Sequence, residues 1–94
     1  MYRKAVVRVK EVKMFMFAGC PHCAKAGEMV KKLKETNMDY ASVPIDVIDE
    51  KLNPAEADKY DYYYVPTFFV GGVKLHEGVP TEEAVENVLK AALA

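Results

Sequence analysis

The feature of this sequence that most constrains its fold is an apolar run that leads into the only two cysteines. Residues 12–17 are strongly apolar, which is typical of a strand buried at the centre of a sheet. The segment Cys20-Pro21-His22-Cys23 follows after a two-residue gap, and from there to Leu33 the apolar residues recur at helical spacing. A buried strand, a tight turn and an amphipathic helix are therefore predicted, with the cysteines at the start of the helix.

The position of the two cysteines predicts a redox pair. Cys20 falls at the N-terminus of the predicted helix, where unpaired backbone N–H groups and the helix dipole stabilise a thiolate. Cys23 lies about one helical turn further on, close enough to form a disulfide with Cys20. We therefore expect an exposed, nucleophilic sulfur at Cys20 and a buried, resolving sulfur at Cys23. Together they form a reversible two-electron switch.

The two residues between the cysteines are also candidate catalytic residues. Pro21 suits the first helical turn, where a backbone N–H is not needed. A positively charged His22 would stabilise the Cys20 thiolate. The alternative for His22 is an exposed ring with no role in the chemistry.

The remaining elements follow from turn residues and periodicity. Pro44 lies within a predicted second strand, Tyr40–Val47, and therefore places that strand at an edge of the sheet. The order β-α-β-α-β-β-α indicates an α/β fold. The other predicted elements are a short helix from Pro54 to about Tyr60, strands Thr67–Val70 and Val73–Glu77 joined by Gly71-Gly72, and a last helix that Thr81 caps.

Composition narrows the class of protein. Ninety-four residues, 51% of them hydrophobic, suit a single compact domain over residues 1–94, within which residues 1–11 fit either an extra strand or a frayed terminus. A net charge of -1 favours neither nucleic acid nor a membrane surface as a partner. A single cysteine pair is not the disulfide framework of a secreted protein, and no signal peptide or transmembrane segment is visible. We expect a cytoplasmic monomer.

A second motif, Val65-Pro66-Thr67, strengthens the interpretation of the cysteine pair. Together with the Gly-Gly hairpin and the capped last helix, the two motifs resemble the thioredoxin superfamily, especially its small glutaredoxin-like members, over residues 12–93. The resemblance implies a four-stranded mixed sheet flanked by three helices and thiol–disulfide oxidoreductase activity. No cofactor is implied.

The resemblance also implies a substrate-binding site. Pro66 is then a cis-proline that faces the cysteine pair and turns the Val65 backbone toward an extended substrate strand. Thr67, Tyr64 and Gly78 complete the predicted site, and Tyr63 is an alternative contact to Tyr64. Tyr62 is expected to pack in the core or at its rim. The implied partners are protein disulfides and, as electron donor, a reductase or a small thiol such as glutathione.

The sequence departs from both better-known branches of this superfamily. Gly19 stands where thioredoxins have Trp, and Met14 stands where they have a buried acid. The glutathione-binding lysine of glutaredoxins is missing from Phe17-Ala18-Gly19, and Gly78-Val79-Pro80 replaces their Gly-Gly-Asp-like segment.

A different class of function is compatible with the same cysteines. Cys20, Cys23 and His22 could bind zinc, copper or an iron–sulfur cluster. Three ligands from one chain do not complete a tetrahedral site, so this alternative requires a dimer or a partner protein. We predict that the oxidoreductase interpretation is correct and that the chain has no metal site of its own. His76, on the last predicted strand, is expected to be a solvated surface residue.

Overall fold

The computed structural model describes residues 9–94, so the predictions for residues 1–8 lie outside the described part of the chain. No helix within residues 9–94 has the length and apolar character needed to cross a membrane. In this described part of the chain, four strands and four helices follow one another in the order β1 (Val12–Met16), α1 (Pro21–Thr36), α2 (Met38–Ala41), β2 (Ile45–Asp49), α3 (Pro54–Ala57), β3 (Thr67–Val70), β4 (Val73–Glu77) and α4 (Glu82–Leu93).

The strands form the predicted mixed sheet. Its strand order is β2-β1-β3-β4, with β1 parallel to β2 and antiparallel to β3, and with β3 antiparallel to β4. β2 lies at an edge, as predicted. The turn between β3 and β4 has φ of 54° at Gly71 and 86° at Gly72, a backbone conformation that a two-residue hairpin requires and that glycine adopts without strain.

Alternation along β1 divides the core into two layers. Val12 and Met14 belong to the layer that contains buried residues of α1, α2 and α4. Phe15 belongs to the opposite layer, which includes Ala57 of α3. Because β1 is buried on both faces, its carboxyl end and the turn that follows are held in a fixed position relative to the sheet.

The structure contains one helix that the sequence pattern did not predict. Helix α2 occupies the beginning of the segment predicted as the strand Tyr40–Val47. The Asn37 side chain caps this helix, because its Oδ1 accepts a hydrogen bond from the Asp39 N–H at 2.9 Å. The Tyr40 side chain is buried, and its hydroxyl donates to Glu86 of α4 at 2.7 Å. This contact stabilises a helical turn instead of a strand.

The bounds of β2 and α3 differ from prediction, and β2 ends at Asp49 instead of Val47. β2 begins only at Ile45, so Pro44 precedes the strand instead of lying inside it. α3 ends at Ala57 and does not reach Tyr60. The Tyr60 ring instead lies 4.9 Å from the Phe15 ring, in the second layer of the core. Tertiary packing therefore ends α3 earlier than local sequence predicts.

Candidate active site

Neighbouring strands bring the predicted site residues together at the carboxyl end of β1. Phe15 of β1 pairs with Thr67 of β3 in antiparallel register, so the chain that follows Met16 lies beside the chain that precedes Thr67. β2 runs parallel to β1, and its last residue, Asp49, pairs with Met16. On the other side of β3, Thr67 pairs with Glu77 of β4. The cysteine turn therefore lies between the end of β2 and the segment that enters β3.

Cys20 occupies the N-cap position of α1. Its Sγ accepts a hydrogen bond from the Cys23 N–H at 3.2 Å. Pro21 is the first residue of the helix, as predicted, and both Pro21 and His22 are exposed. A helix N-terminus favours negative charge through its unpaired N–H groups and its dipole. The structure therefore places the Cys20 sulfur at the positive end of the α1 dipole, in contact with a backbone N–H group.

Cys20 is more enclosed than the sequence predicts. Cys20 is 7% exposed and Cys23 is 4% exposed, and both belong to the larger core layer. The prediction of an exposed Cys20 is therefore wrong. Its side chain turns back onto the first turn of α1, and Phe17 and Val65 pack against the same layer. Cys23 lies on the buried side of the helix, as predicted.

The protonation of Cys23 depends on Cys20. Burial is the largest of the causes that raise the pKa of the Cys23 thiol to about 12, and a side-chain hydrogen bond between the Cys23 thiol and the Cys20 sulfur is the second. The charge of Cys20 adds to both effects. The contributions of Cys20 disappear once its sulfur is bonded to another sulfur. Cys23 is therefore protonated in the reduced protein and more acidic after Cys20 has reacted.

Asp49 is a site residue that the sequence analysis missed. Its Oδ2 accepts a hydrogen bond from the Ala18 N–H at 3.2 Å, and its Oδ1 accepts one from the Lys51 N–H at 2.9 Å. Gly19, which follows Ala18, has φ of 88°, so this turn requires a residue that adopts positive φ without strain. Asp49 thus joins the turn before Cys20 to the end of β2. Its place at the end of a strand parallel to β1 was the available signal.

The predicted substrate-binding residues lie together at the entrance to β3. The Val65–Pro66 peptide bond is cis, as predicted. Pro66 O accepts a hydrogen bond from the Gly78 N–H at 2.9 Å, and the buried Thr67 hydroxyl donates to Tyr64 O. Val65 is half-buried and packs against the core layer that contains both cysteines. Its backbone N–H and C=O are not among the groups that these hydrogen bonds use.

The three tyrosine rings of the segment Tyr62–Tyr64 differ in exposure: one packs against the core and two are exposed. The Tyr62 ring stacks on Phe15 at 4.9 Å, and its hydroxyl donates to Glu50 Oε1 at 2.8 Å. Burial, followed by this hydrogen bond, raises the pKa of Tyr62. Tyr63 and Tyr64 are 86% and 71% exposed. Tyr62 is half-buried against the core, which agrees with the predicted core or rim packing, and two tyrosine rings face solvent next to the entrance to β3.

Glu77 is a second residue that the sequence analysis missed. Its Oε2 accepts hydrogen bonds from the Tyr63 N–H and the Tyr64 N–H, and its Oε1 accepts one from Lys74 Nζ at 2.7 Å. The hydrogen bond from Lys74, followed by those from the two backbone N–H groups, lowers the pKa of Glu77 to about 2. Glu77 is therefore ionised throughout the neutral range.

The histidines and acidic residues do not form a metal site in the described part of the chain. Across residues 9–94, no three His, Cys, Asp or Glu side chains are grouped so as to hold a metal ion. His76 is not the freely solvated residue that was predicted, because its Nε2 lies 3.0 Å from Val79 O and 3.2 Å from Gly78 O. A metal bound by Cys20 and Cys23 would need ligands from another molecule.

Comparisons with known proteins agree with this geometry. The family model described as "Thioredoxin domain" matches residues 10–90. A thioredoxin from Methanocaldococcus jannaschii is 30% identical over 83 residues, which are 88% of this chain and 95% of that protein.

Solved structures show the same likeness. A mutant thioredoxin from Halobacterium salinarum has a TM-score of 0.68 at 23% identity, with 93% of this chain and 77% of that chain covered. Thioredoxin from Malassezia sympodialis has a TM-score of 0.71 at 19% identity, with 93% of this chain and 77% of that chain covered. These two structural matches confirm the predicted thioredoxin-like fold.

Proposed function

This chain belongs to the thioredoxin family and is a thiol–disulfide oxidoreductase, and we propose that it reduces disulfides of polypeptide substrates through Cys20 and Cys23. The Cys20 thiolate attacks one sulfur of a substrate disulfide, forms a mixed disulfide and releases the other sulfur as a thiolate. Cys23 then loses its proton and attacks the Cys20 sulfur. The substrate leaves as a dithiol, and two electrons have moved from the Cys20–Cys23 pair to it.

The observation that carries this proposal is the hydrogen bond from the Cys23 N–H to Cys20 Sγ at the N-cap of α1. It supports the choice of Cys20 as the attacking sulfur, because a helix N-terminus favours negative charge, and it lies between two cysteines within one helical turn. The dependence of the Cys23 pKa on Cys20 supports the order of the two steps, because Cys23 becomes a better nucleophile only after Cys20 has formed the mixed disulfide.

The backbone entering β3 supports a polypeptide as the substrate. Val65 packs against the core layer that contains the cysteines. Within residues 9–94 no hydrogen bond uses its N–H or C=O, and we propose that both pair with an incoming extended strand. Tyr64 precedes Val65 in the chain, and the Gly78 N–H donates to Pro66 O, so both residues adjoin this backbone. We propose that Val65 pairs with the substrate chain while Cys20 attacks its disulfide.

The electron donor and the compartment complete the proposal. Oxidised Cys20–Cys23 must be reduced again, by a reductase or by a small thiol such as glutathione. The cytoplasm is the compartment in which such donors keep thiols reduced, and a single closely spaced cysteine pair suits that environment. The protein is proposed to act there as a monomer.

The proposed function is tested with two substrates and one metal analysis. Protein reduced with dithiothreitol is expected to reduce both insulin and hydroxyethyl disulfide with dithiothreitol as the terminal donor. Protein purified without chelators is expected to contain far less than one zinc or iron atom per chain. Failure to reduce insulin, together with one bound metal per chain, would replace the redox proposal with metal transport or storage.

Replacing His22 tests its effect on the redox equilibrium. We expect His22→Ala to make the Cys20–Cys23 couple more reducing, because an imidazolium in the first turn of α1 no longer stabilises the thiolate form of the dithiol. A tenfold change in the equilibrium with glutathione corresponds to roughly 30 mV, and a shift of that size is expected. The measurement is the ratio of dithiol to disulfide across glutathione buffers.

Lys25→Ala is the matched control for His22→Ala. Lys25 is an exposed cation further along α1, so its loss removes positive charge without changing the turn between the cysteines. A potential that changes equally in both variants would show a general effect of charge. An unchanged potential in His22→Ala would show that His22 has no tuning role.

A further inference from the structure

Two exposed tyrosines stand next to the backbone that we propose to bind substrate. Tyr63 and Tyr64 expose most of their surface, although Tyr62 beside them is anchored in the core. Tyrosine combines a large apolar ring with a hydroxyl group and is enriched at protein–protein contacts. Such a pair binds a partner more tightly when the backbone that carries the two rings is already held in one conformation. A flexible backbone would have to be ordered on binding, and the entropy lost in that step lowers the affinity.

The backbone of this segment is held by side chains of β4. Glu77 Oε2 accepts hydrogen bonds from two consecutive N–H groups, those of Tyr63 and Tyr64. Lys74 Nζ donates to Glu77 Oε1 at 2.7 Å and to Asp61 O at 3.1 Å. Lys74 and Glu77 therefore form an ion pair that binds three backbone groups, those of Asp61, Tyr63 and Tyr64.

These hydrogen bonds are of the strong, charge-assisted kind. A carboxylate that accepts from two adjacent backbone N–H groups fixes their relative orientation, and the Lys74 ammonium compensates its charge. Glu77 is half-buried at the end of β4 and pairs with Thr67 across the sheet. The carboxylate that holds the Tyr63–Tyr64 backbone therefore comes from a strand of the sheet.

We infer that Glu77 is a positioning residue for polypeptide substrates, which acts by holding the Tyr63–Tyr64 backbone so that both rings meet the chain on either side of the substrate disulfide. This role rests on the proposed function. It assigns no part in the sulfur chemistry to Glu77, because the carboxylate contacts Lys74 and the segment backbone. A small disulfide that makes no contact with the tyrosines should therefore depend far less on Glu77 than a polypeptide does.

The test compares kcat/KM for insulin with kcat/KM for hydroxyethyl disulfide. In Glu77→Ala the ratio of the two values is expected to fall about tenfold, mainly through a higher KM for insulin. Glu28→Ala is the control, because Glu28 is an exposed glutamate of α1, and its ratio is expected to equal that of the wild type. Equal losses on both substrates in Glu77→Ala, or no loss on insulin, would overturn the inference.

A second variant covers the case in which Glu77→Ala does not fold. Glu77→Gln keeps one acceptor oxygen for the backbone N–H groups and loses the charge, so its ratio is expected to fall about threefold. If only Glu77→Gln folds and its ratio equals that of the wild type, the inference is wrong.

A double-mutant cycle separates positioning from general stability. In a protein that already carries Tyr63→Ala and Tyr64→Ala, adding Glu77→Ala is expected to change the ratio by less than about twofold, because residues acting as one unit are not additive. A full tenfold effect in that background would show that Glu77 does not act through the tyrosines. Wild-type protein that reduces hydroxyethyl disulfide but not insulin would overturn the polypeptide proposal and this inference with it, an outcome visible without any variant.

Discussion

Cys20→Ser is expected to lower the rate of insulin reduction at least about a hundredfold, because the only sulfur at the N-cap of α1 is lost. Cys23 does not replace it. Burial and the hydrogen bond to Cys20 raise the pKa of Cys23 to about 12 in the reduced protein, so its thiolate is scarce at neutral pH. Alkylation by iodoacetamide should accordingly map to Cys20 in the wild type and be nearly lost in Cys20→Ser.

Cys23→Ser separates the two steps of the exchange. Cys20 should still attack the substrate, but a serine hydroxyl does not displace it, so the mixed disulfide should accumulate. Mass spectrometry of the non-reduced protein after addition of insulin measures this adduct. The reverse pattern, with the adduct in Cys20→Ser and alkylation at Cys23, would exchange the two roles.

Features set by local sequence were predicted well. The apolar residues of β1 indicate a buried strand, and Cys20-Pro21 indicates the start of α1. Both patterns can be recognised within a few consecutive residues. The same is true of Thr81, whose hydroxyl accepts a hydrogen bond from the Ala84 N–H at 3.1 Å and caps α4.

Features that depend on contacts between residues far apart in sequence could not be predicted in the same way. Helix α2 is stabilised by the contact between Tyr40 and Glu86, which are far apart in sequence. Glu77 reaches the tyrosine backbone only because β4 pairs with β3 in one particular register, with a shift between Phe68 and Phe69. No local pattern marks such a residue. The enclosure of Cys20 was missed for the same reason, since Cys20 belongs to a core layer built from residues distant in sequence, such as Val70 and Val85.

Phe15→Ala is expected to lower the free energy of unfolding by about 3–5 kcal/mol, the range for removing a buried aromatic side chain. Phe15 is fully buried on a central strand, and its ring lies 4.9 Å from the Tyr62 ring and 5.8 Å from the Phe69 ring. Alanine would leave a cavity between rings that are themselves fixed by the sheet and by the hydrogen bond from Tyr62 to Glu50. A loss of this size is a large part of the roughly 5–15 kcal/mol that stabilises a domain.

Urea unfolding followed by circular dichroism measures this loss, with Tyr63→Ala as the matched aromatic control. Tyr63 is mostly exposed, so its truncation should change stability by no more than about 0.5 kcal/mol. Phe15→Leu, which keeps much of the buried volume, should lie between the two. A loss below about 1 kcal/mol in Phe15→Ala would mean that the layer under α3 collapses to fill the space. In that case the aromatic rings would not hold the Tyr62–Tyr64 segment in place, and the sheet and Glu77 alone would fix it.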